Sequence, residues 1–463
     1  MGRLLVHGGA GVTARSPEVA ARWAGVEQPP ALVPASQRVI RGDALEVLPT
    51  LPPGFAQAAI TSPPYWGLRD YGVRPRVWGG DPDCRHRWGE AGRGRRGDLL
   101  PAERSVRSSR RQAADGLKGG CFCRRCGAWK GCLGLEPEPD LYVEHLVAVM
   151  REVHRCLRPD GTLWLVLGDS FAANRTYQVP DSIGVDPGGK LAIRVPAALK
   201  PKDLVGIPWR VAFALQADGW WLRSDVVWHK PNAMPESVRD RPTRSHEFVF
   251  LLAKSRRYFY DDFAVREPDG GFSSGNGYRR PHRLSYGERG QGRRWHPGGG
   301  RNRRSVWSIA TQCFGGEHFA TFPEALVELC LLAGTSPAAC RRCGAPWRRV
   351  VSSRRLLDGR REIGGGWTDE TAEARSGRAP KPTGYGHWRV RVERETAGWE
   401  PGCEHDDPGA RSAVLDPFAG AATTGLLAAR HGRDFVGVEL SGAYARIARR
   451  RLRDAALAEE VQR

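Results

Sequence analysis

Three groups of residues in this chain have types and spacings suited to chemistry. The first is Thr61-Ser62-Pro63-Pro64-Tyr65, which follows the apolar run Ala58-Ala59-Ile60. The Ser62 hydroxyl and the Pro63 carbonyl can accept hydrogen bonds from the hydrogens of an aromatic amine. That would favour a pyramidal nitrogen oriented for in-line attack on a sulfonium methyl. The prolines stiffen the loop and leave no amide at 63 and 64 to compete. Tyr65 offers a flat face for stacking on a base drawn out of a duplex. Alone, SPPY is any Pro-rich turn; its position at a strand end makes it specific.

The second group lies near the C-terminal end, in AVLDPFAGAATTGLLAARHGRDFVGVEL. This reads as strand, turn, helix, strand. It delivers Asp416 and Phe418 to the carboxyl end of a strand, where ligands bind in open α/β sheets. Gly420 permits close backbone approach, and Glu439 ends the next strand about 20 residues on, where an acid can bind ribose hydroxyls. Ala421 and Ala422 stand where a dinucleotide site would have glycine. A pyrophosphate needs that approach; a sulfonium amino acid does not.

The third group is metal-like. Of eleven cysteines, Cys84-x-His86 with Cys123-x-x-Cys126 makes one four-ligand set, and Cys340-x-x-Cys343 with Cys403-x-His405 makes another. Three Cys and one His suit tetrahedral zinc in a closed structural site, so two structural zinc ions are expected. Trp88, Trp129, Trp347 and Trp399 accompany the sets, as in small zinc ribbons with little core. The alternative is free thiols in variable loops, with Cys121 and Cys132 as substitute ligands in the first set. Cys156, Cys313 and Cys330 read as ordinary buried thiols.

The elements that must position these groups alternate. RVIRGDALEVLPTL reads as strand, turn and short helix, and LYVEHLVAVMREVHRC as a helix ended by a turn at Pro159-Asp160-Gly161. TLWLVLGDS, WLRSDVVWHK and HEFVFLLAKS read as strands, IPWRVAFALQADG and FPEALVELCLLAG as helices. Strands alternating with helices imply an α/β fold with a mostly parallel, doubly wound sheet. The segments expected are a leader over 1–36, a catalytic half over 37–83 and 133–254, and zinc-binding insertions over 84–132 and 336–410. A target-recognition segment over 255–304, a cofactor-side helix over 305–335 and the cofactor unit over 411–463 complete the division.

The 463 residues carry a formal charge of +20 and are 40% hydrophobic, enough for a real core and suited to a polyanionic partner. Arg-rich composition can also follow from a GC-rich genome, so charge alone does not decide. No apolar run is long enough to span a membrane and the first residues lack a secretory signal, so a cytoplasmic protein with no membrane partner is expected. Arg279, Arg280, Arg283, Arg293 and Arg294, interleaved with Tyr278, Tyr286 and Trp295, suit phosphate contact, guanine readout and stacking. The Arg93–Arg111 run reads as an electrostatic arm.

TSPPYWGLRDYG and DPFAGAATTG, with LRPDGTLWLVLGDSF, SDVVWHKPNAMPESVRDRPTRSHEFVFLLAKS and VWSIATQCFGGEHFATFPEALVE in order, resemble the motifs of the circularly permuted β-type amino-directed DNA methyltransferases. The resemblance runs from about Arg38 to Arg451. It implies a Rossmann-like fold, S-adenosylmethionine as cofactor, double-stranded DNA as partner and a flipped base as acceptor, with a restriction endonuclease as a possible cognate. By position it places Asp43 near the cofactor adenine and Glu439 on its ribose. His318, Phe319 and Pro323 would line the methionine end with Asp416, Phe418, Gly420 and Thr423. In this family SPPY leans toward cytosine N4 and DPPY toward adenine N6. Carbon-5 methylation needs a Cys nucleophile, and the chain has no Pro-Cys pair. Ala422 departs from the family's usual Gly. The alternatives are N6-adenine methylation, a zinc-dependent DNA-binding protein that no longer turns over, and, more weakly, an RNA substrate.

Overall fold

The computed structural model describes residues 36–68, 70–89, 120–172, 199–267, 301–312, 322–361 and 387–462. The chain divides into a larger unit over 31–261, 304–346 and 407–463, and a smaller one over 1–30, 262–303 and 347–406.

The larger unit is built on an eight-stranded sheet. Its strands are β1 (Gln37–Arg41), β2 (Ala56–Thr61), β6 (Leu157–Leu167), β7 (Trp221–His229), β8 (His246–Ala253), β9 (Val306–Ser308), β14 (Ala413–Asp416) and β15 (Asp434–Glu439). The spatial order is β1-β15-β14-β2-β6-β8-β7-β9. From β1 to β6 every neighbouring pair is parallel; β8 is antiparallel to β6 and β7, and β9 is parallel to β7. The mostly parallel sheet expected from the alternation is present, with an antiparallel extension at one side.

Why β2 is central follows from its residues. AQAAIT is buried at every position, as in a parallel strand covered on both faces. Its one large polar side chain, Gln57, is satisfied by donating to Asp160 (3.2 Å) and accepting from the Ser336 amide (2.9 Å). β14 lies beside it with Val414 opposite Ala58 and Leu415 opposite Ala59. Two strands far apart in sequence therefore end side by side.

The helices are α1 (Ala44–Val47), α2 (Pro139–Cys156), α3 (Ile207–Ala217), α4 (Glu324–Gly334), α5 (Thr423–Arg430) and α6 (Gly442–Gln462). In α2, Pro139 opens the first turn, where its missing N–H has no intrahelical acceptor, and His154 and Arg155 sit in the last turn, favourable to the helix dipole. Tyr142, Leu146, Val149, Met150 and Val153 form its buried stripe and join Leu163, Leu165, Leu167, Phe250 and Leu252 in one core. The turn expected after α2 is displaced: Leu157 already pairs with Ala56, and Arg158–Gly161 bulge from β6 before Thr162 pairs with Ala58. The Arg158 guanidinium grips the Asp160 carboxylate there at 2.9 and 2.7 Å.

Two small sheets also belong to this unit. One joins β3 (Arg76–Trp78), β4 (Cys121–Phe122) and β5 (Trp129–Gly131) in the order β3-β5-β4, so the first ribbon begins before Cys84. The other pairs β10 (Ala338–Ala339) with β13 (Ala410–Arg411). In the smaller unit, β11 (Arg348–Arg361) and β12 (His387–Glu400) form a long antiparallel pair within the stretch read from the sequence as the second zinc-binding insertion. Arg349 lies over the Trp399 ring, 4.4 Å from its centroid, and hydrogen-bonds Thr396. Among the described residues no helix is long and apolar enough to cross a membrane. The leader, the Arg93–Arg111 arm and the Tyr278–Trp295 recognition segment lie outside the described residues.

Ala422, flagged as a departure in the sequence, adopts φ 57° and ψ 42°, the left-handed conformation, immediately before α5. Among the described residues only Lys202 shares a positive φ without being glycine. The α5 entry therefore carries a strain that glycine would relieve, offset in part by glycine's greater chain entropy. Ala422→Gly should stabilise the protein by roughly 1 kcal/mol in denaturant unfolding; an unchanged or lower midpoint would show that the Ala422 methyl contributes more by packing than it costs.

Candidate active site

The carboxyl ends of β2 and β14 are joined through one carboxylate. Asp416, 1% exposed, accepts hydrogen bonds from Thr61 Oγ1 (2.7 Å) and the Phe418 amide (3.1 Å) at Oδ1, and from Thr424 Oγ1 (2.9 Å) at Oδ2. Thr61 is the first residue of the TSPPY run and Thr424 lies in the first turn of α5. Burial pushes the Asp416 carboxyl from 3.8 up to about 6, against the three hydrogen bonds, which favour ionisation.

Glu439, at the end of β15, accepts from the Gly420 amide (2.8 Å) and the Ser441 amide (2.6 Å), one on each oxygen. Burial raises it from 4.5 to about 7, the two amides opposing. Each carboxylate oxygen retains a lone pair, so two ribose hydroxyls can still donate to it. Gly420 (φ 53°) has only the Phe418 carbonyl within 4 Å of where a Cβ would stand, leaving its backbone open to a ligand. Asp43 follows β1, next to β15; it caps α1 through the Leu45 amide (2.8 Å) and pairs with Arg76 at 3.1 Å. Gly42 N donates to the Glu439 carbonyl (3.1 Å), which sets Asp43 beside Glu439 at one sheet edge. Thr423 opens α5, and Pro323 precedes α4, which is tied to α5 by Arg430–Glu324 and to the next residue by His431–Glu328 (2.8 Å). His318 and Phe319 lie outside the described residues.

Across from this cradle stands the TSPPY loop. Ser62 and Tyr65 are half-buried, and Pro63 is buried. The Tyr65 hydroxyl donates to Glu247 Oε2 (2.8 Å), and Glu247 is paired with Lys230. Burial, then the Glu247 charge, raise the Tyr65 phenol well above its ordinary range, so it remains a neutral donor. A Cβ at Gly168 would lie 2.6 Å from the Tyr65 ring, so only glycine fits against it. Tyr142 donates to the Pro64 carbonyl at 2.9 Å. Glu247, Lys230, Gly168 and Tyr142 went unnoticed in the sequence. HKP closes β7 and HEF opens its antiparallel neighbour β8, with Trp228 opposite Glu247, so the pair is brought together by strand pairing.

The first Cys/His set closes. The ligand atoms of Cys84, His86, Cys123 and Cys126 all lie within 4.8 Å of one another. Cys84 and Cys123 sulfurs are 4.0 Å apart, and the Cys126 sulfur is 3.4 Å from His86 Nδ1. Zn–S bonds of about 2.3 Å at tetrahedral angles would separate two sulfurs by about 3.8 Å, so the donors fit the ion. Cys132 instead faces the Val73 carbonyl. Cys123 to Ala128 and Cys340 to Ala345 have the same sequence, CRRCGA. They make the same turn: the Gly amide donates to the first Cys carbonyl (3.0 and 2.9 Å), and that Cys amide to the Ala carbonyl (2.7 and 2.9 Å). Cys340 and Cys343 belong to the larger unit, Cys403 and His405 to the smaller. Cys156 and Cys330 are buried in α2 and α4, as expected of structural thiols; Cys313 is outside the described residues.

Comparison with known proteins bears on this arrangement. A family model described as DNA methylase matches residues 56–340 and 408–450. The Type II methyltransferase M.SmaI of Serratia marcescens is 31% identical over 420 residues, covering 90% of this chain and 91% of that protein. M.Cfr9I of Citrobacter freundii is 40% identical over 302 residues, covering 65% and 73%. Among solved structures, the PvuII DNA methyltransferase, cytosine-N4-specific, aligns with TM-score 0.43 and 13% identity over 94% of this chain and 93% of its own.

Because the folded state holds the Asp416 proton that the unfolded chain releases, this group's contribution to stability is present below about 4 and lost as pH rises to about 6. Asn is isosteric: its oxygen can accept from Thr61 and Phe418 while its amide donates to Thr424. Relative to wild type, Asp416→Asn should gain up to about 3 kcal/mol between those pH values and level off above. A pH-independent difference in unfolding free energy would mean that Asp416 titrates normally.

Proposed function

The chain belongs to the N6/N4 DNA methylase family, enzymes that transfer a methyl group from S-adenosylmethionine to a base amino group in DNA, and from that premise we propose that its acceptor is the N4 amino group of a cytosine held outside the duplex. The carrying observation is the joint at Asp416, which sets the Ser62–Tyr65 loop against the Gly420–Glu439 cradle. Ser62 at the head of the loop, rather than an aspartate, favours cytosine over adenine.

S-adenosylmethionine supplies an electrophilic methyl on a sulfonium. Glu439 would accept its ribose hydroxyls, Asp43 would lie toward its adenine, and Phe418, Gly420, Thr423 and Pro323 would border its methionine end, with His318 and Phe319. The Asp416 carboxylate, only 1% exposed and turned to Thr61 and Thr424, acts by its field rather than by contact. Ser62 Oγ and the Pro63 carbonyl accept from the amino hydrogens and turn the nitrogen lone pair toward the methyl. Ser62 Oγ and the Pro63 carbonyl would keep hold of the amino nitrogen, which would release one proton to solvent on receiving the methyl. Tyr65, held by Glu247 and Gly168, forms the wall against which the base rests.

The two Cys/His sets hold structural zinc in this reading. For Cys84, His86, Cys123 and Cys126 the geometry supports it; for Cys340, Cys343, Cys403 and His405 the spacing and the repeated CRRCGA turn do. The Type II designation of the relatives supports a role in restriction–modification, with a cognate endonuclease as partner and the cytoplasm as the place of action.

Ser62→Ala and Tyr65→Ala should each lower methyl transfer by at least about 100-fold while leaving S-adenosylmethionine affinity within about twofold, because both act on the base. Nucleoside analysis of DNA from cells expressing the wild type should yield N4-methylcytosine; N6-methyladenine would overturn the cytosine assignment. Protein purified without chelators should carry about two zinc ions per chain, and Cys126→Ser about one. Metal-free, fully folded protein would dismiss the zinc reading.

A further inference from the structure

Between the first ribbon and α2 runs a short buried segment, Gly134 to Glu136, that the methyl-transfer reading leaves without a role. It forms the back wall of the TSPPY loop. The Gly67 amide donates to the Gly134 carbonyl at 2.8 Å, and Trp66 Nε1 donates to the Glu136 carbonyl at 2.9 Å. Gly134 takes φ 92°, and a Cβ there would stand 3.2 Å from Pro64 Cβ and from the Tyr65 carbonyl oxygen. These contacts matter because Pro63 and Pro64 have no N–H, so the loop must be anchored through its carbonyls and its flanks. Beside the Thr61 and Tyr65 hydroxyl bonds, three further anchors are the Pro64 carbonyl, Trp66 Nε1 and the Gly67 amide, and each of these ends on α2 or on this segment.

What holds the segment is a buried carboxylate. Glu136, 4% exposed, accepts from the Gly134 amide at Oε2 (2.8 Å) and meets His145 Nδ1 at Oε1 (2.9 Å). The His145 ring, on α2, is stacked on Trp78 (centroids 4.2 Å apart, planes 20°) and lies 5.4 Å from Trp129. Trp78 and Trp129 face one another across β3 and β5. Cβ atoms at Gly120 and Gly131 would fall within 2.5 and 2.2 Å of the Trp129 ring, so that indole is locked in place. Two residues before β5 is Gly127, in the turn that carries Cys123 and Cys126.

We infer that Glu136 and His145 are positioning residues for the TSPPY loop, braced by the ribbon that Cys84, His86, Cys123 and Cys126 close. This rests on the reading of the loop as the methyl-acceptor site and of the quartet as a zinc site. The ribbon encloses His145 in aromatic rings, His145 orients Glu136, and Glu136 fixes the segment on which Trp66 and Gly67 hang. A shift of a fraction of an ångström in that segment passes to Ser62 and Pro63, where misplacement near 1 Å costs about 100-fold in rate. The path from His145 through Glu136 to the loop does not pass through β14 or β15, where the cofactor cradle lies, although the ribbon also meets the cofactor side where Arg76 pairs with Asp43.

His145→Phe keeps a ring between the indoles and removes the bond to Glu136; Glu136→Gln keeps an acceptor for Gly134 and a polar partner for His145. His145→Phe should lower kcat about 10- to 100-fold with S-adenosylmethionine affinity and zinc content near wild type, while Tm falls by a few degrees because Glu136 loses a buried partner. Amide exchange at Gly67, read by mass spectrometry of the apo-cofactor protein, should accelerate in parallel. Glu136→Gln should retain most of the wild-type kcat, and Cys126→Ser should reproduce the loss and the faster exchange. Wild-type kcat or unchanged Gly67 exchange in folded His145→Phe overturns the inference, as does parallel loss of cofactor binding. Because His145→Phe leaves the quartet intact, it decides the matter even where Cys126→Ser does not fold. With Ser62→Ala as reference, an active reference variant would instead show that the loop had been misread.

Discussion

A buried carboxylate that must have partners governs this molecule. Asp416 sits at the end of β14 with hydrogen bonds from Thr61 on β2, from Thr424 on α5 and from its own turn at Phe418. Thr61 and Asp416 are separated by 355 positions in sequence. Removing any one partner would leave polar capacity unsatisfied in a site closed to water, a cost of about 1–3 kcal/mol. β14 and the Ser62–Tyr65 loop are thereby held at one sheet edge. β15 and β1 add outward from β14 and bring Glu439 and Asp43 to the same edge.

On the other side of β2 the sheet changes character. β6, β8 and β7 run antiparallel and deliver Glu247 to the Tyr65 hydroxyl, with Lys230 paired to Glu247. Gly168 leaves room for the ring, while Tyr142 and the Gly134–Glu136 segment hold the chain behind it. A loop with two adjacent prolines is stiff within itself but poor in donors. Its precision comes from neighbours, and those neighbours come from three separate parts of the chain.

The departures from an ideal sheet have local causes. The Arg158–Gly161 bulge lets Asp160 serve both Arg158 and Gln57, so the polar side chain in the most buried strand is not orphaned. Ala422 takes its left-handed backbone at the entry to α5, where its amide closes the turn by donating to the Ala419 carbonyl at 2.7 Å.

Much of this was legible in the sequence wherever the signal is local. Strand–turn–helix spacing around Asp416 and Glu439, the TSPPY loop after an apolar strand, and the CxxC and CxH pairs each lie within a few residues, so residue type and periodicity suffice. The antiparallel edge, the β11–β12 pair and the ribbon's start at Arg76 were not legible, because strand direction and partner are set by contacts distant in sequence. Nor were the residues that hold the site: Glu247, Lys230, Tyr142, Glu136 and His145 are each ordinary in their own stretch. Asp416 shows the division most clearly. Sequence put a carboxylate at a strand end facing a ligand, whereas folding turned both of its oxygens inward to Thr61 and Thr424, because a charge buried on β14 is tolerable only where the packed neighbours supply its hydrogen bonds.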